Sequence, residues 1–188
     1  MNLRVLFAVL LLSCNRTPEP DPIPFVPRAP ASASAAPVAS AAGKQLVWDA
    51  PKGWVRADKP SAMRRATYAL PKADGDADAP DLAISVAGGA VDANVDRWVQ
   101  QFDEEAKPSL KKSTRKVGAY DVTLAELRGT WLGSGMTAGG VPPKHGYAMI
   151  AAIVPVSGDE KWFFKLVGPQ KSVDAARADF ETFLSSIR

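Results

Sequence analysis

From Thr17 to Gly43 the chain reads TPEPDPIPFVPRAPASASAAPVASAAG, and this stretch decides how much of the protein can fold. Proline fixes φ and has no backbone N–H, so closely spaced prolines suit neither a helix interior nor a central strand. No apolar periodicity runs through the segment, which reads as a linker with a proline half suited to polyproline II at roughly 3.1 Å per residue. A core must therefore come from residues 45–188, enough for one domain of ordinary size. Of the 188 residues 46 % are hydrophobic, and the single cysteine rules out an internal disulfide. The net charge of +3 lacks the concentrated basic character of a nucleic-acid binder, so nucleic acid is not an expected partner.

Upstream of the linker, Arg4 precedes an apolar run from Val5 to Leu12 that ends at Ser13, Cys14, Asn15 and Arg16. A membrane-spanning helix needs about 20 apolar residues, whereas a run this short fits a signal-peptide core. The residues LLSC, Leu11 to Cys14, resemble the lipobox of bacterial lipoproteins. That resemblance implies a signal peptide over 1–13, lipid on the Cys14 thiol and a mature tether over 14–44, leaving 45–188 as the globular domain. Two or three acyl chains would make the attachment effectively permanent, since each buried CH₂ adds about 0.8 kcal/mol. The expected place is the bacterial cell envelope. Asn15 after the cysteine favours, in a Gram-negative cell, the outer membrane facing the periplasm.

Within the domain, LVWDAP and GWV suggest two short strands around a proline turn, with Trp48 and Trp54 as core candidates. RRATYALP and LAISVAGG read as further strands, separated by KADGDADAPD. Asp74, Asp76, Asp78 and Asp81 there invite a calcium reading. An EF-hand loop, however, needs Gly at its sixth position and a bidentate carboxylate at its twelfth, where this chain has Ala79 and Ser85. A solvated acidic hairpin loop is the expectation. VDANVDRWVQQFDEEAKP predicts one helix with Asp92 as N-cap, Val95, Trp98, Val99, Phe102 and Ala106 on its buried face, and Pro108 at its end. Gly88 and Gly89 before it lack the spacing of a phosphate loop.

KKSTRKVGAYDVTLAELRGTWL predicts a hairpin reversing at VGAYD. Its basic cluster, Lys111, Lys112, Arg115 and Lys116, suits a sheet edge guarded against pairing, the alternative being contact with acidic lipid or a partner. GSGMTAGGVPPKHG, residues 133–146, is too rich in Gly and Pro for helix or strand and reads as a long loop. It carries the candidate ligand or partner residues Ser134, Met136 and His145. Ser134 lacks the nucleophile-elbow pattern, and one histidine cannot build a multi-histidine metal site. No catalytic residue, metal ligand or cofactor is assigned. YAMIAAIVPV and KWFFKLVG then read as adjacent strands, and PQKSVDAARADFETFLSSIR as a closing helix with Val173, Ala176, Phe180, Phe183, Leu184 and Ile187 inward. The sum is an α+β fold, an antiparallel sheet of about six to seven strands with two main helices packed on it.

APKGWV, Ala50 to Val55, and WFFKLVGPQKSVDAARADFETFLSSI, Trp162 to Ile187, resemble the Mog1/PsbP-like group. The resemblance implies an αβα sandwich and, since most members of that group act by docking, a non-enzymatic docking or accessory module on an envelope protein. The alternatives are a small-ligand binder whose Gly-rich loop closes over a pocket, and a hydrolase using His145. A tryptophan-lined cavity under that loop would favour the ligand reading; a flat exposed apolar patch would favour docking.

Overall fold

The computed structural model describes residues 44–57, 64–134 and 140–188. Cys14, the segments 1–13 and 14–43, and Met136 lie outside the described residues. The described elements are β1 (Val55–Arg56), β2 (Arg64–Ala69), β3 (Asp81–Ala87), α1 (Val91–Val99), a 3₁₀ segment (Glu104–Ser109), β4 (Lys111–Val117), β5 (Tyr120–Trp131), β6 (Lys144–Ser157), β7 (Glu160–Pro169), α2 (Gln170–Ala175) and α3 (Arg177–Ser185). The strands form one antiparallel seven-stranded sheet in the order β1-β2-β3-β7-β6-β5-β4, with helices on both faces. This is the α+β class expected from the sequence.

Side-chain alternation assigns each residue to a face. Leu82 and Ile84 of β3, Val122 of β5, Ile150 and Val154 of β6, and Trp162, Phe164 and Leu166 of β7 pack with α2 and α3. Their odd or even counterparts, including Leu127, Met149, Ile153 and Phe163, pack with α1 and the 3₁₀ segment. The central β6 and β7 are thus buried on both sides, which is why YAMIAAIV and WFF are nearly unbroken apolar runs.

Three expected elements differ. Leu46 to Ala50 form no strand; Val47 instead exchanges two backbone hydrogen bonds with Arg188, at 2.9 and 3.0 Å, and the Arg188 guanidinium clasps the Asp49 carboxylate. The early helix is shorter than expected. Its N-cap is Ala90 rather than Asp92, and after Val99 the chain crosses to a bridge between Phe102 and Trp131. Asp103, whose carboxylate accepts from the Ala106 N–H, then starts the 3₁₀ segment. A capping side chain offers the backbone an alternative to continued helix, and Pro108 cannot supply an α-helical N–H. All five residues expected on the buried face, from Val95 to Ala106, are nevertheless buried. The closing helix divides at Ala176, but the Ala176 N–H still reaches the Ser172 carbonyl and the Phe180 N–H the Ala176 carbonyl, so the apolar stripe stays aligned.

Candidate functional site

The Gly-rich connection is shorter than its composition suggests, because β6 begins at Lys144 and takes His145 and Gly146 into the strand. Ser134 lies just after β5 in the remaining loop. His145 is exposed, and its Nδ1 is 3.1 Å from the Thr130 hydroxyl oxygen. Thr130 is also hydrogen-bonded to Asp103, and this bond is the main reason the Asp103 carboxyl stays below the ordinary carboxylate range. The order along this chain is carboxylate, hydroxyl, imidazole. In a nucleophilic triad the imidazole stands in the middle, taking the hydroxyl proton while the carboxylate orients it. Here the hydroxyl proton faces a weak base, Asp103, and the group is built to hold β5 to the 3₁₀ segment.

At the base of the same loop is a cavity of about 280 Å³. Trp131 and Tyr147, from the two flanking strands, stack with centroids 6.0 Å apart and planes 13° apart. The Lys144 ammonium lies 5.5 Å above the Tyr147 ring and donates to Asp78 at 2.6 Å, while the Tyr147 hydroxyl donates to the same carboxylate oxygen. Lys144 first and Tyr147 second hold the Asp78 carboxyl low; burial, then the Asp78 bond, pushes the Tyr147 hydroxyl up, so both donors keep their protons at neutral pH. A tryptophan-lined cavity therefore exists beside the loop, with its Lys144 and Tyr147 already engaged.

The acidic loop is more built than the solvated hairpin expected of it. The Ser172 N–H and hydroxyl both donate to Asp76, at the start of α2, and the Lys171 ammonium donates to the Asp74 carbonyl at 2.6 Å. Asp76 and Asp78 thus tie the β2–β3 loop to α2 and β6, a use of carboxylates for docking the chain on itself that their spacing alone could not reveal. Among the described residues no three His, Cys, Asp or Glu side chains converge as a metal site. The Gly89 N–H meets the Asp159 carboxylate at 2.9 Å, so the backbone donor beside α1 is taken by the protein's own anion.

The basic cluster lies on β4, an edge strand. Lys112 pairs with Asp92 of α1, Arg115 with Glu181 of α3 and Lys116 with Asp121 of β5. Edge protection and helix attachment account for these charges.

A second cavity of about 280 Å³ was not anticipated. It opens beside α1 over β2, β3 and β7, where Arg64, Arg97 and Lys165 meet Ser85, Trp98 and Phe163. A sequence signal for it exists in WFFKLVG, where a single lysine interrupts a buried apolar strand.

The structure defines a seven-stranded antiparallel α+β sandwich with one cavity at the loop base and another beside α1. No protein-family model and no curated protein matches the chain. Among solved structures it is similar to the cyanobacterial PsbP (CyanoP) of Synechocystis sp. PCC 6803, at 13 % identity over 83 % of this chain and 98 % of that one, with a TM-score of 0.44. It is also similar to LpqN, involved in cell envelope biogenesis of Mycobacterium tuberculosis, at 13 % identity over 79 % and 86 % of the two chains, with a TM-score of 0.46. PA94 of Pseudomonas aeruginosa, a protein of unknown function and putative regulator, is 11 % identical over 76 % and 96 %, with a TM-score of 0.43. Likenesses at this level describe a general arrangement and assign neither family nor activity.

Proposed function

We propose that this protein is a lipid-anchored, non-enzymatic module of the bacterial cell envelope that docks on an envelope protein, held by Cys14 and a proline-rich tether. The observation that carries the reading is the fate of the only histidine. His145 is exposed, faces Thr130 rather than a carboxylate, and is not among the described residues that line the two cavities. The LLSC sequence and the long tether support a domain working at a distance from the membrane surface. Asn15 supports the outer membrane, periplasmic side, in a Gram-negative cell. A second reading, small-ligand binding beside the Gly-rich loop, draws on the cavity at Trp131; the engagement of Lys144 and Tyr147 with Asp78 makes docking the preferred one.

The test is in-cell cross-linking of the full lipidated chain, then purification and mass spectrometry. One stoichiometric envelope partner, lost when residues 45–188 are deleted and kept when the tether is shortened, is the expected result. The Cys14→Ala chain should leave the membrane fraction. Retention of Cys14→Ala in the membrane pellet counts against the anchor, and the absence of any stoichiometric partner counts against docking.

A further inference from the structure

We propose that the open cleft beside α1 is a binding site for a small organic anion, its acid group held by Arg64, Arg97 and Lys165 and its apolar part lying on Trp98 and Phe163. The three cations come from three separate elements, β2, α1 and β7, and converge on one cavity. None of the described residues lining that cavity is acidic.

Local structure places each of them. In the β2–β3 ladder Ala66 pairs with Ile84 but Arg64 pairs with Ser85, so two steps along β2 match one along β3. Such a bulge re-aims a side chain, and it turns Arg64 to the face of Ser85, opposite that of Ala66. Lys165 follows Phe164 and therefore shares the face of Phe163. Arg97 directly precedes Trp98, which meets Phe163 edge-on at 5.8 Å and 87°, forming the apolar floor.

The partners of two of these cations are neutral. Lys165 donates to the Gln101 amide oxygen at 2.7 Å, and Arg97 to the Asn94 amide oxygen at 3.0 Å. An amide orients a cation without cancelling its charge. Lys161, on the same strand and face as Lys165, instead reaches the Asp159 carboxylate at 3.2 Å. Burial, and then repulsion from Arg64, bring the Lys165 ammonium down to about 8, the response of a positive group that lacks a nearby counter-charge. An anion entering the cleft supplies it. A volume of about 280 Å³ is at the small end of ligand cavities, which suits a carboxylate or phosphate on a compact apolar body. This inference is independent of docking, since it concerns a different occupant of the domain.

The experiment uses the full chain in neutral detergent, benzoate as probe and benzyl alcohol as its uncharged counterpart. The readout is acetylation of Lys165 by an amine-reactive reagent, followed residue by residue by mass spectrometry. Benzoate should protect Lys165 saturably while leaving Lys116 reactive, and benzyl alcohol should not protect it. Arg97→Gln, at an exposed position, should weaken the protection by about tenfold, the size of losing one charge-assisted hydrogen bond. No protection up to about 100 mM benzoate, far above the millimolar range that corresponds to about 4 kcal/mol, overturns the proposal. So does equal protection by benzyl alcohol, or protection unchanged in Arg97→Gln.

Discussion

The two faces of the sheet use their charges differently. On the face covered by α2 and α3, three arginines meet acids: Arg115 with Glu181, Arg177 with Glu126, Arg128 with Asp174. These pairs fasten the helices to β4 and β5, and Phe183 is surrounded by Trp48, Trp54, Tyr68, Phe164 and Phe180. On the face covered by α1, Trp98 reaches Phe163, while Ala83 and Ser85 of β3 line the open cleft beside the helix. Around the cleft on that face Arg97 and Lys165 end on amides, whereas Lys112 and Lys161 meet Asp92 and Asp159. The difference teaches that ion pairs and packed aromatics close one face, whereas the other keeps a cleft in which Arg97 and Lys165 rest on neutral amides.

Removing the central aromatic of each face is the strongest way to break this contrast. Phe183→Ala should destabilise the protein by about 3–5 kcal/mol, because the side chain is fully buried and its aromatic neighbours cannot all collapse into the void. Trp98→Ala should stay at the low end, about 3 kcal/mol, since water can enter from the adjoining cleft and relieve part of the cavity penalty. Denaturant midpoints at constant m-value measure both. If Trp98→Ala proves the more damaging, the α1 face is the structural one and the contrast is reversed.

Neutralising one charge sharpens the comparison at lower energy. Glu126 accepts both Arg177 bonds, at 2.7 and 2.8 Å, and chiefly for that reason its carboxyl is held below its ordinary value of 4.5. A lowered folded-state pKa means stability that is present above the unfolded value and lost as pH falls through the folded one. Glu126→Gln should therefore cost about 0.5–1 kcal/mol at neutral pH, as expected for a partly exposed bidentate pair. The deficit relative to the parent should vanish in acid. A deficit that persists there would mean that shape, not charge, joins α3 to β5.

Much of this architecture was legible in the chain. The apolar run of YAMIAAIV and the 3.6-residue period of the closing helix each need only local rules, and Val173, Ala176, Phe180, Phe183, Leu184 and Ile187 are buried as their spacing requires. What escaped depended on distant partners. Asp103 as a cap and Pro108 inside a 3₁₀ turn compete with a helical pattern that reads continuously. Asp76 and Asp78 became structural through Ser172 and Lys144, which are far along the chain. His145 was placed in a loop by its glycine neighbours, although Gly146 takes φ +65° at the start of a strand. The cleft beside α1 was hidden for the same reason: Arg64 and Lys165 are far apart in sequence, and a single bulge decides which face Arg64 joins.

The smallest expected effect has the opposite sign, which makes it the most discriminating. Lys165 falls from its ordinary 10.5 to about 8 on folding, through burial first and Arg64 second. Below pH 8 the ammonium is charged in both states and its burial penalty is fully present. Between 8 and 10.5 the unfolded chain binds more protons, so stability rises with pH; above 10.5 both states are neutral and the penalty is gone. Lys165→Met should accordingly raise stability at pH 7 by only about 0.5 kcal/mol, because the bond lost from the ammonium to Gln101, about 1.5–3 kcal/mol for a charged donor, offsets most of the burial penalty. That advantage should shrink as the parent is titrated from pH 8 to 10.5, read as the difference between two denaturation curves at each pH. Loss of one charge would then weaken the α2/α3 face and strengthen the α1 face, the behaviour of a cation retained for something other than stability. A Lys165→Met protein less stable than its parent at pH 7 would place Lys165 among the groups that hold the fold, through its bond to Gln101.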